Sequence, residues 1–300
     1  MPQKLTHEAL NRVLSSLDAA RNGAALYALL SAFCAAGLLL AMAESALARG
    51  QGGWGAIWAG LGLAVAFFGV NATGLMLMDQ ARGRPVREVA DAFHDALLSG
   101  HRVLLCLLLL LLPAAAVLGL LLALLWAVRL PGIGAPLYAL LVPLGVIVLG
   151  LLSFAATMLV GPLAGPAVWD GHGAVATARL LLRQLRQRLP EAAMLMALVL
   201  LLTAAVTAAI SFIVLAGGRA MALLSVWLLG IDVPAQQLMA GLFGHGLRSL
   251  GASGAPVAGS PLGVAALVGG GVVFALALVL PTLIYLRGCC AVYLALRDEA

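Results

Sequence analysis

Three carboxylates recur in this 300-residue chain at nearly the same distance from a glycine. Asp79 follows Gly69 by ten residues, Asp170 follows Gly161 by nine and Asp298 follows Gly288 by ten. Each stands just beyond a long apolar run. A carboxylate in that position can serve as a general acid or base, or it can simply end a helix in water, which needs no further residues and is the simpler reading. Arg287 lies between two apolar runs. A guanidinium there either meets a buried acid or extends its stem to the membrane interface, and the second is expected. Glu44 can meet Arg49 or Arg129 as a rim ion pair. Thr203, Thr207 and Ser211 recur every four residues on one helix face, a pattern suited to packing against a neighbouring helix. Asp232 and His245 are the leading polar residues of a long loop.

Other chemistry finds no support. His7, His94, His101, His172 and His245 fall at or beyond the edges of the apolar runs, and no HExxH is present, so neither a metal site nor haem ligation is expected. Cys34, Cys106, Cys289 and Cys290 form no CxxC pair and read as packed thiols. There is no Walker-A loop, no GxSxG and no dinucleotide fingerprint after a strand. The Gly-His-Gly at 171–173 is a turn signal. No cofactor is expected, and the chain does not read as an enzyme.

The elements carrying these residues are set by composition. Hydrophobic residues make up 63% of the chain and charged residues 10%, against about 25% charged in a soluble domain. A mean hydropathy of +1.10 leaves too few polar groups to cover a water-facing surface. In lipid every backbone group must be paired within the protein, so only helices or a closed barrel can span. Six apolar runs, at about 23–45, 54–76, 103–128, 136–160, 192–216 and 262–286, are long enough for helices and alternate too little for barrel strands. Pro113, Pro143 and Pro281 fall within spans and predict kinks. The fold expected is an all-α polytopic bundle of six transmembrane helices in three hairpins.

Arginine and lysine alternate across the connections. Thirteen fall on the N-terminal segment, the second and fourth loops and the C-terminal end; four fall on the remaining loops. The positive-inside rule then places both termini in the cytoplasm. The same rule accounts for the net charge of +5 without nucleic acid. The first 20 residues are amphipathic rather than a cleavable leader. Sixteen arginines against one lysine point to a G+C-rich bacterial source, and so to a bacterial inner membrane.

Segments preceding spans one, three and five share a helical pattern. Leu10, Val13, Leu14 and Leu17 form the first apolar face; Val86, Val89, Ala90, Phe93 and Leu97 the second; Ala178, Leu181, Leu182, Leu185 and Leu189 the third. Each is expected to lie as an amphipathic helix along the cytoplasmic membrane surface. The second offers an Arg87–Asp91 pair at an i,i+4 spacing. The third carries Arg179, Arg183 and Arg186 on one side, suited to anionic inner-leaflet lipids. The chain therefore reads as one membrane domain, 1–300, of three repeated units, 1–82, 83–172 and 173–300. The third unit is enlarged by an outer-side insertion at 217–261, read as short interfacial helices followed by a flexible tail.

The middles of the six spans lack Asp, Glu, Lys, Arg and His, which argues against a proton-coupled carrier. The expectation is a non-catalytic subunit or assembly partner of a membrane complex, working with another membrane protein or as a homo-oligomer. The alternatives are a small-molecule or lipid transporter using the bundle centre, and a membrane enzyme built on the three aspartates.

Overall fold

The computed structural model describes residues 7–129, 134–229 and 261–298, which form helices and turns with no strand among them. The helices are α1 His7–Leu14, α2 Gly23–Ala48, α3 Gly52–Ala81, α4 Val89–Ala127, α5 Gly134–Ala155, α6 Gly161–Trp169, α7 Ala174–Gln187, α8 Leu189–Leu229 and α9 Pro261–Asp298. A 3-10 segment, Ser15–Arg21, follows α1, and a π segment, Ala156–Val160, joins α5 to α6. Six stretches are long and apolar enough to cross a bilayer: Gly23–Ala48, Gly52–Ala81, Val89–Ala127, Gly134–Trp169, Leu189–Ser225 and Ala275–Arg297. The chain is an all-α, multi-pass membrane helix bundle.

Local chemistry explains where helices begin and continue. Asn22 caps α2, its Oδ1 accepting from the Ala25 N–H at 3.0 Å. Pro113, Pro143 and Pro281 lie inside helices that continue past them, as membrane helices tolerate when the freed carbonyls are satisfied locally. Gly100, a residue of low helix propensity, does not interrupt its helix. Gly100 is buried within α4, which runs unbroken from the amphipathic segment into the span. Similarly, α8 continues through Gly217 to Leu229, where a separate interfacial helix was expected. One glycine costs a helix only about 1 kcal/mol, too little to end an apolar run that gains backbone pairing in lipid. Most of the 217–261 insertion, with Asp232 and His245, lies outside the described residues.

By contact the chain divides into two compact units, one of 1–16, 74–199 and 286–300, the other of 17–73 and 200–285. In the second, α2 presents Ala25, Ala28, Leu29, Ala32, Ala36, Ala43 and Ala46 as a buried, mostly small-residue stripe. Gly55, Gly62 and Gly69 of α3 meet it at seven-residue intervals. A side chain at Gly55 would strike Leu47, one at Gly62 would crowd Leu40 and the Ala36 carbonyl, and one at Gly69 would overlap the Ala32 methyl. Small residues at heptad spacing let two antiparallel helices close on each other along one seam. Thr207 and Ser211 of α8 face outward. The Thr207 hydroxyl donates to the Thr203 carbonyl of its own helix at 2.7 Å, so this hydroxyl serves the helix backbone.

The first unit is built on α4, α6, α7 and the end of α9. On α4 the buried face is Ala92, Ala96, Gly100, Val103, Cys106 and Leu110, whereas Leu97 points outward. On α7 Thr177, Ala178, Leu181 and Gln184 are buried, with Leu182 outward. α7 packs on α4 and α6. From Leu286 to Leu296 every residue of α9 is buried.

Candidate functional site

Within this first unit, charged residues from separate connections of the sequence come together. Trp169 closes α6. Its indole lies across Gly74 of α3 and Gly165 of its own helix, where any Cβ would collide with the ring. That close approach sets Asp170, the residue capping α6, beside the turn that follows α3. The chain then reverses at Gly171, whose φ of +100° suits glycine.

The Asp170 carboxylate is 2% exposed and serves four neighbours. Arg82 pairs with its Oδ1. Arg297 Nη1 donates to Oδ2 at 3.0 Å and to Oδ1 at 3.3 Å. The Tyr293 hydroxyl donates to Oδ2 at 2.8 Å, and His172 Nδ1 stands 3.5 Å from the same oxygen. Tyr293 and Arg297 are four apart on α9, so one helix face supplies both donors.

A second cluster adjoins it in sequence. Arg87 Nε and Nη2 donate to Asp79 Oδ2 and Oδ1 at 2.6 and 3.0 Å, and Nη1 donates to Asp95 Oδ2 at 2.8 Å. This two-toothed contact with Asp79, helped by the negative charges of Asp79 and Asp95, raises the Arg87 pKa. The Arg87–Asp91 pairing expected from i,i+4 spacing is replaced by this one. Arg87 precedes the first helical residue of α4, so helical spacing does not govern its reach.

A cavity of about 490 Å³ opens in the same unit. It is lined by Arg12 and Ser15, by Ala81, Arg82 and Arg84, and by Arg287, Ala291, Leu294 and Arg297. The four α9 residues follow at spacings of four, three and three, one stripe of the helix. Arg287 is 9% exposed, while Arg12, Arg84 and Arg297 are exposed, so Arg287 forms the inner end. Arg82 has its pKa lowered, first by desolvation and then by the like charges of Arg84 and Arg297.

Of the residues singled out from the sequence, Asp79 and Asp170 each anchor a cluster, and Arg287 lines the cavity. Asp298 ends α9. Arg179, Arg183 and Arg186 are exposed on α7, and Arg183 Nε reaches Gln187 at 3.4 Å. Arg82 and Arg297, counted only as topology charges, and Tyr293 were missed as site residues. The i,i+4 pairing of Tyr293 with Arg297 was the available signal. Among the described residues no group of His, Cys, Asp and Glu has the arrangement to hold a metal. No protein-family model, no curated protein and no solved structure matches the chain.

Proposed function

We propose that this chain is a non-catalytic, multi-pass protein of a bacterial inner membrane, with both termini cytoplasmic, acting as a subunit or assembly partner of a larger membrane complex. The Asp170 cluster carries this reading. Tyr, His and Asp side chains meet there, a set able to move protons, yet Tyr293 is fully buried and Asp170 nearly so. A substrate cannot reach the hydroxyl, and the carboxylate is occupied by the protein's own cations. Asp79 and Asp95 are likewise engaged by Arg87. These acids join α3, α4, α6 and α9 into one framework rather than facing a reactant.

The surroundings agree with such a role. The apolar windows of the fourth and fifth spans are only 11% and 6% buried within the chain, leaving long faces for lipid or for the helices of another membrane protein. Arg179, Arg183 and Arg186, exposed along α7, suit an anionic inner leaflet at about 1 kcal/mol each. Purification of the tagged chain at native abundance in a mild detergent should recover a stoichiometric membrane partner or a defined homo-oligomer. A lone monomer would sink the proposal. Orientation is checked separately: a reporter fused after Ala300 should be active only when cytoplasmic.

A further inference from the structure

We propose that α7 docks on an anionic leaflet through the flank carrying Val175, Leu182, Arg179 and Arg186, and that this contact holds the helix in its observed rotation. Without it, α7 rolls about its own axis and releases Thr177 and Gln184 from the bundle. Two observations on opposite flanks of the helix carry this. On the inner flank the chain buries polar groups: Thr177 is 0% exposed and Gln184 8%. Among the described residues neither Thr177 Oγ1 nor Gln184 Oε1 has a hydrogen-bond partner. The helices on which α7 packs, α4 and α6, bury chiefly alanine, glycine, proline and apolar side chains. A buried polar atom left without a partner keeps its full desolvation penalty. On the outer flank the chain does the reverse, leaving Val175 52% exposed and Leu182 40%.

The mismatch is one of rotation. At about 100° per residue, Leu181, Leu185, Ala178, Leu182 and Val175 follow one another along an apolar arc of α7 about 120° wide. Thr177 and Gln184 border the arc on the Leu181 side, Arg186 and Arg179 on the Val175 side. An amphipathic helix ordinarily centres such an arc on the core. Here the buried face of Thr177, Ala178, Leu181 and Gln184 is centred about 70° away, roughly a fifth of a turn. Rolling back by that amount would bury Leu182 and free both polar side chains. The exposed half of the arc identifies what offsets the cost of the observed rotation. It sets two apolar side chains beside arginines, and α7 carries Arg179, Arg183 and Arg186 exposed and no acid at all. A negatively charged headgroup and acyl boundary matches that combination. The connection into α7 permits the roll: Gly171 and Gly173 stand in open space, and the helix begins without a side-chain cap. The inference rests on the leaflet contact of α7 proposed above and not on the assembly role.

The test uses the full chain with Cys34→Ser, because Cys34 is partly exposed whereas Cys106, Cys289 and Cys290 are buried. It is placed in nanodiscs of phosphatidylcholine, with or without phosphatidylglycerol. Thr177→Cys is the probe, and its reaction with a water-soluble maleimide is timed by mass spectrometry. The rate should rise at least about tenfold when phosphatidylglycerol is left out, well within what three surface arginines contribute. Gln184→Cys, which leaves Thr177 in place, should respond alike, so a folding defect in one probe does not decide the result. A bimane on Leu182→Cys should be quenched by brominated acyl chains only when phosphatidylglycerol is present. Arg179→Gln with Arg186→Gln should restore fast labelling of Thr177→Cys in the anionic discs, whereas Arg21→Gln with Arg49→Gln, an equal charge change at exposed positions elsewhere, should leave it slow. Equal labelling in the two lipids would overturn the roll. A Leu182 probe that is never quenched would overturn lipid as the occupant, and equal effects of the two arginine pairs would reduce the response to general charge. Both leaflets of a nanodisc share one composition and the chain is read alone, so neither its orientation nor its assembly role enters the outcome.

Discussion

Replacing Asp170 by asparagine probes the ion cluster most directly. Asparagine keeps the size and shape of the side chain, and the Tyr293 hydroxyl, 2.8 Å from Oδ2, can still donate to an amide oxygen. The loss is the negative charge facing Arg82 and Arg297. Arg297 is 42% exposed, so water replaces much of its partner and this contact contributes at most about 1 kcal/mol. Arg82 is 17% exposed against an acid 2% exposed, and like charges already press on it. Removing one member of a buried pair costs about 3–5 kcal/mol, and the partial exposure of Arg82 puts Asp170→Asn near the lower end, about 3 kcal/mol. The measurement is unfolding by SDS titration from mild-detergent micelles, followed by tryptophan fluorescence, since Trp169 adjoins the site. Arg82→Gln should cost less, because Asp170 keeps Arg297 and Tyr293. The double variant should show a coupling of about 2 kcal/mol. Asp91→Asn, at an exposed position on α4, should stay within about 0.5 kcal/mol of wild type. An Asp170→Asn protein as stable as that control, or strict additivity with Arg82→Gln, would refute the assignment of a cohesive role to the cluster.

Three further outcomes are expected. Gly69→Val places a branched side chain against Ala32 and should destabilise the α2–α3 hairpin by about 1–3 kcal/mol, whereas Gly60→Ala faces open space and should be neutral or stabilising by up to about 1 kcal/mol; both are read by the same SDS titration. Arg87→Ala strands Asp79, whose side chain is 10% exposed, and should destabilise by about 3 kcal/mol, while Arg87→Lys keeps the charge but loses the fork and should recover only part of this. A water-soluble maleimide should leave Cys106, Cys289 and Cys290 unmodified in intact membranes, because all three are buried, and should label them after denaturation, as peptide mass spectrometry will show.

Periodicity and charge were enough to find the spans, because hydrocarbon imposes one answer on a long apolar run. They were not enough to place helix ends. The 217–261 segment reads as a separate insertion, yet α8 continues through Gly217 to Leu229, and α4 runs through Gly100 without interruption, since an interruption in lipid would leave backbone groups unpaired. The recurrence of Asp79 and Asp170 drew notice to both positions, but the simpler reading ended each helix in water, whereas both carboxylates are buried against arginines. Their partners were hidden for different reasons. Arg87 lies outside the helix whose spacing was used to pair it. Tyr293 and Arg297 are separated from Asp170 by 123 and 127 residues, and no local rule reaches so far. The cavity combines the N-terminal segment, one turn and the last helix, a convergence that only tertiary packing reveals.

The long reach of Asp170 has a bearing on biosynthesis. Arg82 precedes it on the ribosome, so the carboxylate has one cation waiting as it emerges. Arg297 arrives 127 residues later, a delay of roughly 6–25 s at ordinary elongation rates. Through that interval the carboxylate has one of its two arginines and lacks the Tyr293 hydroxyl, and the nascent protein is open to insertases, chaperones or quality-control proteases. Completion of α9 closes that window, so a chain stopped short of Tyr293 should be recognisably immature to the cell even with five spans already inserted.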